Sequence, residues 1–383
     1  MKVMVAHNAY QQRGGEDVVV DAEVAMLREA GHEVELLMRH NDELGTMGRA
    51  DAALQTLWSR RTTAELRERL AGFRPEVVHV HNTFPLLSPS LYWACAAAGV
   101  PVVQTLHNFR LVCPQAMFLR EGRVCEDCLG KLPLPAIRHG CYRGSRAQTV
   151  VLTGMLALHR GLGTWQNKVA RYIALSEFSR SKFIEAGLPA DRVVVKPNFI
   201  DAASSFDGSR AGFLFVGRLS PEKGVALLAR AMEQLPSSTL RVVGRGAEVV
   251  RLETLPNVTL LGEQARDRVF GKMSEALALV VPSICYETFG LVVAEAYANG
   301  LPVIASRIGA LAELVREGET GLLFTPGDAA DLARVLAWSQ AHPQEMARMG
   351  RQARQDYEAQ FTPARNLVLL LDIYQQAMAL SQA

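Results

Sequence analysis

No stretch of this sequence approaches the roughly 20 consecutive apolar residues of a membrane span, so a chain built around transmembrane helices is excluded as a first reading. Nor is there an excess of one charge: 41 Lys and Arg stand against 39 Asp and Glu, a formal net charge of +2. That balance does not imply a polyanionic partner, and nucleic acid is not expected. Cysteine is sparse, with six residues, too few for a disulfide-stapled secreted scaffold; metal-binding or structural thiols are the alternative. The apolar start, Met1 to His7, meets Asn8 and Gln11 too soon for a secretory signal. A cytoplasmic chain is expected, with attachment to the inner face of a membrane left open.

What is present is ordinary globular composition over 383 residues, 49% apolar and 21% charged. One hydrophobic core rarely serves so long a chain, so two domains are expected. Short runs rich in Val, Ile and Leu alternate with helical patterns throughout. In the first half the strands fall near 2–6, 33–37, 77–80, 102–106, 172–174 and 193–196. In the second they fall near 212–216, 240–243, 258–260, 278–281, 302–305 and 321–324. Such alternation predicts an α/β fold with two doubly wound parallel sheets. Between the first two strands, Val20, Val24 and Leu27 recur at helical spacing and Gly31 closes the helix. Residues 201–209 are small, polar and aperiodic, which suits a linker. A helix over 364–380 has no strand to follow and is expected to pack back on the first domain.

The most informative block runs from Val281 through Glu287, Phe289, Gly290, Leu291 and Glu295 to Ile304, in the order strand, loop, helix, turn, strand. In open α/β sheets, ligands bind beyond the carboxyl ends of the strands. The helix start opened by Gly290 offers free amides to phosphate, whereas Glu287 and Glu295 suit hydroxyls. A ligand carrying both phosphate and hydroxyl groups is implied. A second block is Gly217-Arg-Leu-Ser-Pro-Glu-Lys-Gly224, directly after a strand. Gly217 permits close backbone approach, while Arg218 and Lys223 are cations suited to a diphosphate.

These two blocks, with glutamates eight positions apart at 287 and 295, resemble the family 4 retaining glycosyltransferases (glycosyl transferases group 1) of the GT-B fold. Supporting pieces are Gly14-Gly15-Glu16, Thr105-Leu-His-Asn108, Lys196-Pro-Asn-Phe-Ile-Asp201 and Gly300-Leu-Pro-Val-Ile-Ala-Ser306. The resemblance implies two Rossmann-like domains facing a central cleft. Residues 1–200 with 364–383 would bind the acceptor and 201–363 the nucleotide sugar. It further implies that Arg218 and Lys223 hold the donor diphosphate and that Glu295 binds ribose hydroxyls. Glu287, with the amides of Phe289, Gly290 and Leu291, would face the donor sugar. His107 would reach that sugar from the N-terminal domain, and Gly14 and Gly15 would admit the diphosphate. Where the family often has Gly-acidic-Gly-Pro, this chain has Gly244-Arg245-Gly246-Ala247. The implied activity is retaining transfer of a hexose from a UDP- or GDP-linked sugar to a glycan or lipid-linked acceptor, in polysaccharide biosynthesis, without a catalytic cofactor. A nucleotide-sugar epimerase and a non-catalytic nucleotide-sugar-binding protein are the alternatives.

Cys113, Cys125, Cys128 and Cys141 form a separate group, a Cys-x-x-Cys pair bracketed by two more cysteines in a stretch whose Gly122, Gly130, Pro133 and Pro135 predict loop. It fits a structural zinc framework and equally a set of reduced thiols. Between 107 and 171, ten cations stand against three carboxylates, next to an apolar stretch over 149–158. That pattern fits a peripheral contact with an anionic membrane, or simply a solvated basic loop before a core helix.

Overall fold

The computed structural model describes residues 1–202 and 209–382. Of the expected linker, residues 203–208 lie outside the described residues. Contacts divide the chain into two units: Met1–Met117, Glu126–Pro197 and Pro363–Ala383 form one, and Phe118–Cys125 with Asn198–Thr362 the other.

The strands before residue 200 are β1 (Lys2–Ala9), β2 (Glu33–His40), β3 (Val77–Asn82), β4 (Val102–Thr105), a two-strand hairpin of β5 (Leu119–Arg120) and β6 (Arg123–Val124), then β7 (Arg171–Ala174) and β8 (Val193–Val195). The hairpin apart, they make one parallel sheet in the order β2-β1-β3-β4-β7-β8. The second unit holds β9 (Phe213–Val216), β10 (Leu240–Val243), β11 (Val258–Leu260), β12 (Ala278–Val281), β13 (Val303–Ser306) and β14 (Gly321–Phe324), also all parallel, in the order β11-β10-β9-β12-β13-β14. Strands β3, β4, β12 and β13 are buried along their whole length. Helices cover both faces of such a sheet, and so β12 reads as a continuous apolar run rather than as alternation, whereas β3 and β4 also bury polar residues, His79, His81, Asn82, Gln104 and Thr105.

The first helix, Gly15–Glu29, buries Val20, Val24 and Leu27, and each fully buried side chain of this kind contributes about 1.5–3 kcal/mol. Gly31 adopts a φ of 82° just beyond it, where the His32 amide donates to the Leu27 carbonyl and that of Gly31 to Arg28, both at 3.0 Å. These two bonds satisfy carbonyls that the helix end leaves open. The closing helix, Pro363–Gln382, packs on β3, β4 and β7. Its fully buried residues Leu370, Tyr374 and Ala377 recur at helical spacing and form its inner stripe.

One expectation needs correction. The cysteine-bearing stretch is not loop throughout: it contains the β5–β6 hairpin and a helix, Leu134–His139. Pro135 occupies the first helical turn, where a missing N–H costs nothing, so a residue that predicted loop opens a helix instead.

Strand order locates two crevices. In the first sheet the chain turns from one side of β1 to the other between β1 and β3. In the second it does so between β9 and β12. Ligand sites in doubly wound sheets lie beyond the carboxyl ends of the strands at such points.

Candidate active site

In the second unit, both blocks singled out from the sequence meet at this crevice. After β9 the chain passes Gly217 and Arg218 and makes a 3-10 turn, Pro221–Lys223, closed by Gly224. Gly224 has a φ of 72°, and a Cβ there would fall 1.8 Å from the Pro282 carbonyl oxygen, so only glycine lets this turn lie against the loop after β12. The Ile284 amide donates to the Glu222 carbonyl at 3.0 Å and locks the two loops. In consequence Lys223 Nζ lies 2.6 Å from Glu287 Oε1, which also accepts from Ser283 Oγ at 2.9 Å. Burial disfavours both charges, but each offsets this for the other: Glu287 holds the Lys223 ammonium above its ordinary range, and Lys223 with Ser283 holds Glu287 below the usual carboxylate range.

Arg218 is 69% exposed, tethered only to Glu222 at 3.2 Å, and therefore available to a ligand. Gly290 caps the helix Leu291–Ala298 with a φ of 96°. Among the described residues nothing accepts from the amides of Phe289, Gly290 and Leu291. Phe289 itself is buried against Phe361. One turn on, Glu295 is half-buried, its carboxylate has no hydrogen bond or ion pair among the described residues, and burial pushes it up to about 7, against a weaker opposing pull from Arg266. A partnerless carboxyl raised by burial, beside an open helix start, makes Glu295 a candidate ligand group.

Within residues 244–247 the structure accounts for the shared glycine and not for the departure. A Cβ on Gly244 would fall 1.9 Å from the Gly217 carbonyl oxygen, so that glycine is obligatory, while Arg245 is exposed and pairs with Glu263 at 3.0 Å.

In the first unit, Gly14 caps the first helix after β1 and Gly15 opens it. Asp17 in that helix's first turn accepts from the Gly14 amide at 2.8 Å and lies 2.9 Å from His7 Nε2. Burial opposes its charge, yet the bonds from His7 and Gly14 hold Asp17 below the usual range. Its neighbour Glu16 is pushed up to about 7, chiefly by burial, and accepts from Tyr10 Oη at 3.0 Å and Asn108 Nδ2 at 3.3 Å. His107 follows β4, half-buried, with its Nε2 2.8 Å from His81 Nδ1. Burial, and then the His81 ring, hold His107 well below the ordinary histidine range, so its imidazole is neutral.

Behind these lies a buried polar cluster that sequence reasoning missed. Glu23, His79 and His81 come together, and their ligand atoms all lie within 4.8 Å of one another. The set resembles a metal site, but Lys196 Nζ already stands 3.3 Å from Glu23 Oε2, and the two His79 nitrogens meet Tyr374 and Thr105 at 2.8 Å each. A cation is built in. The available signal was the pair of histidines at alternate positions of β3, among the apolar Val77, Val78 and Val80. Of the four cysteines singled out, Cys113 and Cys128 are buried, whereas Cys125 and Cys141 are half-buried.

Comparison with known proteins decides the family. Residues 198–356 match the model described as glycosyl transferases group 1, and residues 14–198 match the glycosyl transferase 4-like domain. The chain belongs to the group 1 glycosyl transferases. Among relatives of this glycosyltransferase, the D-inositol 3-phosphate glycosyltransferase of Mycobacteroides abscessus is 30% identical over 80% of this chain and 69% of that one. The Mycolicibacterium smegmatis protein of the same name is 29% identical over 80% and 70%. Among solved structures, sucrose-phosphate synthase from Thermosynechococcus elongatus superposes with a TM-score of 0.74 at 20% identity, over 99% of both chains. Anabaena HepE in complex with UDP-glucose does so at 0.67 and 20% identity over the whole of both. At such identity these structures establish the fold, which is GT-B. Among the described residues of this glycosyltransferase no helix is long and apolar enough to cross a membrane.

Proposed function

We propose that this glycosyltransferase moves a hexose from a UDP- or GDP-linked sugar to a hydroxyl of a glycan or lipid-linked acceptor, with retention at the anomeric carbon. The observation that carries the donor half is Lys223, paired with a Glu287 that Ser283 also holds, beside the open amides of residues 289–291 and the partnerless Glu295. Arg218 and Lys223 would hold the diphosphate, the amides its oxygens, and Glu295 the ribose hydroxyls. Residues 201–363 form the nucleotide-sugar domain on this reading, and residues 1–200 with 364–383 the acceptor domain. The HepE structure holds UDP-glucose, and the relatives' names specify an inositol phosphate, which supports a hydroxyl-rich acceptor here.

In the reaction, the bond from the sugar's anomeric carbon to the leaving phosphate oxygen breaks as the acceptor oxygen attacks from the same face. The acceptor's proton passes to that phosphate oxygen. Two cations and preorganised amides stabilise the charge growing on the diphosphate, the largest contribution a site of this kind can make. Lys223 is held charged for this role by Glu287, which fits orientation rather than nucleophilic attack, since its carboxylate is already engaged. His107, neutral, would accept or donate a single hydrogen bond to the donor sugar, and Gly14 with Gly15 would admit the diphosphate.

Two further parts belong to the proposal. Cys113, Cys125, Cys128 and Cys141 would hold a structural zinc ion, a role for which their spacing is the argument. The exposed Leu132, Leu134 and Val150, among the exposed Arg138, Arg143 and Arg146, would support a peripheral contact with an anionic membrane. The test of the central reading is a thermal-shift panel of UDP, GDP, ADP and their sugars, followed by determination of the product's anomeric configuration. A ligand that binds only the folded state raises the melting temperature. No shift with any nucleotide, or an inverted product, overturns it.

A further inference from the structure

The buried cluster behind His107 has a chemical consequence for that residue. It is fed by every element around it: Glu23 from the first helix, His7 from β1, His79 and His81 from β3, Thr105 from the end of β4, Lys196 after β8, and Tyr374 and Asn366 from the closing helix. Glu23, His79, His81, Lys196, Asn366 and Tyr374 are each at most 3% exposed. Glu23 is ionised; burial opposes its charge, but His79 and Lys196 hold its carboxylate well below the usual range. His81 is neutral, held down to about 3 first by burial and then by His79.

Two neutral imidazoles, His81 and His107, therefore share one short hydrogen bond at 2.8 Å, and a single proton lies in it. Its position is set from the far side. His81 Nε2 lies 3.3 Å from Glu23 Oε1, an oxygen that also stands 2.8 Å from His79 Nδ1, and among the described residues that His81 nitrogen is buried without another hydrogen-bond partner. A lone pair on it would face a carboxylate across 3.3 Å in a low-dielectric interior, whereas a proton there turns that repulsion into attraction. With His81 protonated on Nε2, its Nδ1 carries the lone pair and must accept from His107 Nε2–H. His107 is then left with its lone pair on Nδ1.

We infer that Glu23 and His81 are positioning residues that fix His107 in its Nε2–H tautomer, so that its other nitrogen presents a hydrogen-bond acceptor to a substrate hydroxyl. The rest of the cluster holds Glu23 in place. Lys196 Nζ donates to Glu23 Oε2 at 3.3 Å and to Asn366 Oδ1 at 2.8 Å, while Asn366 Nδ2 donates to the Pro197 carbonyl at 2.7 Å. Tyr374 Oη meets His79 Nδ1 at 2.8 Å. The closing helix thus acts through Lys196 and His79 on the orientation of a site residue. The inference rests on the assignment of His107 to the donor-sugar site.

The direct test is nitrogen-15 NMR of the histidine side chains, which distinguishes protonated from unprotonated ring nitrogens in the full-length wild-type chain. His107 is expected with a protonated Nε2 and a bare Nδ1; a protonated Nδ1 overturns the inference. Glu23→Gln supplies the functional half, because a carboxamide can donate to His81 Nε2 and so reverse both tautomers. It is expected to move the His107 proton to Nδ1 and to lower kcat about ten-fold or more, while KM for the nucleotide sugar changes less than about two-fold. Because that change orphans the Lys196 charge, Glu23→Gln combined with Lys196→Met is a charge-balanced second variant with the same expected result. An unmoved tautomer, or equal losses in kcat and affinity, overturns the role of Glu23. Full activity in His107→Ala with the wild-type tautomer as expected would instead sink the assignment of His107 to the site and leave the proton relay standing.

Discussion

Replacing Glu295 by Gln should stabilise the unliganded protein and weaken its ligand binding, two effects of opposite sign from one substitution. Burial without a partner raises the Glu295 carboxyl from 4.5 to about 7. A group whose folded pKa is raised contributes stability that is fully present below its unfolded pKa and lost as pH rises through the folded one. Glu295 therefore lowers stability progressively between pH 4.5 and 7, and the full cost is present at pH 8. The interval corresponds to about 3 kcal/mol at most, and water reaching the half-buried carboxylate reduces it to about 1–2 kcal/mol. Gln removes the charge and keeps the shape, so at pH 8 the variant should melt about 2–8 °C higher, given roughly 2–4 °C per kcal/mol for a unit of this size. The difference should vanish near pH 4.5. Glu16, also raised to about 7, titrates identically in both proteins and drops out of the comparison. If the carboxylate accepts ligand hydroxyls, nucleoside-diphosphate affinity should fall by about 1.5–3 kcal/mol, or ten- to a hundred-fold. Calorimetric melts from pH 4.5 to 8 and titration with the nucleotide found by the binding panel supply both readouts. Parallel pH dependence of the two proteins refutes the burial argument, and unchanged affinity removes Glu295 from the site.

Lys223→Met should reduce nucleoside-diphosphate affinity more than nucleoside-monophosphate affinity, and should cost about 1–3 kcal/mol of stability because Glu287 is left without its cation; equal losses for both nucleotides would place the lysine away from the second phosphate. Gly224→Ala should lower the denaturant midpoint of the second unit by at least the equivalent of about 1–3 kcal/mol, since its φ of 72° and the 1.8 Å clash with Pro282 act together; a wild-type midpoint would show that the turn can move away from the loop. Elemental analysis should find about one zinc per chain, and chelation should open the Cys113 to Cys141 stretch to protease while nucleotide binding persists; metal-free protein of equal resistance would argue for plain thiols.

Much of the architecture was legible because parallel strands covered on both faces must be apolar along their length. Each of the twelve expected strands of the two sheets is present, and the Gly31 helix stop has the geometry its sequence suggested. The placement of the two candidate blocks was legible for a different reason: strand, glycine turn and helix start are consecutive in the chain, so a local reading already placed Lys223, Glu287 and Glu295 near strand ends. The cluster behind His107 was not legible. Its histidines at 79 and 81 lie in a strand whose pattern otherwise signals only core, and nothing near them in the chain names Glu23 or Lys196 as partners. Pro135 misled for a local reason, being read as a loop marker where it opens a helix.

Sequence alone determined which segments form strands and helices, where glycine is required, and which residues carry charge or a ring nitrogen, because propensity and periodicity act over a few residues. Tertiary structure decided who meets whom: Lys223 with Glu287 across 64 positions, Lys196 with Glu23 across 173, Tyr374 with His79 across 295. Those pairings depend on strand order and on how far the closing helix returns, which no local pattern specifies. Protonation followed from the same source. Glu287 and Glu295 are one residue type eight positions apart, yet burial beside a lysine holds one ionised and burial without a partner raises the other towards neutrality.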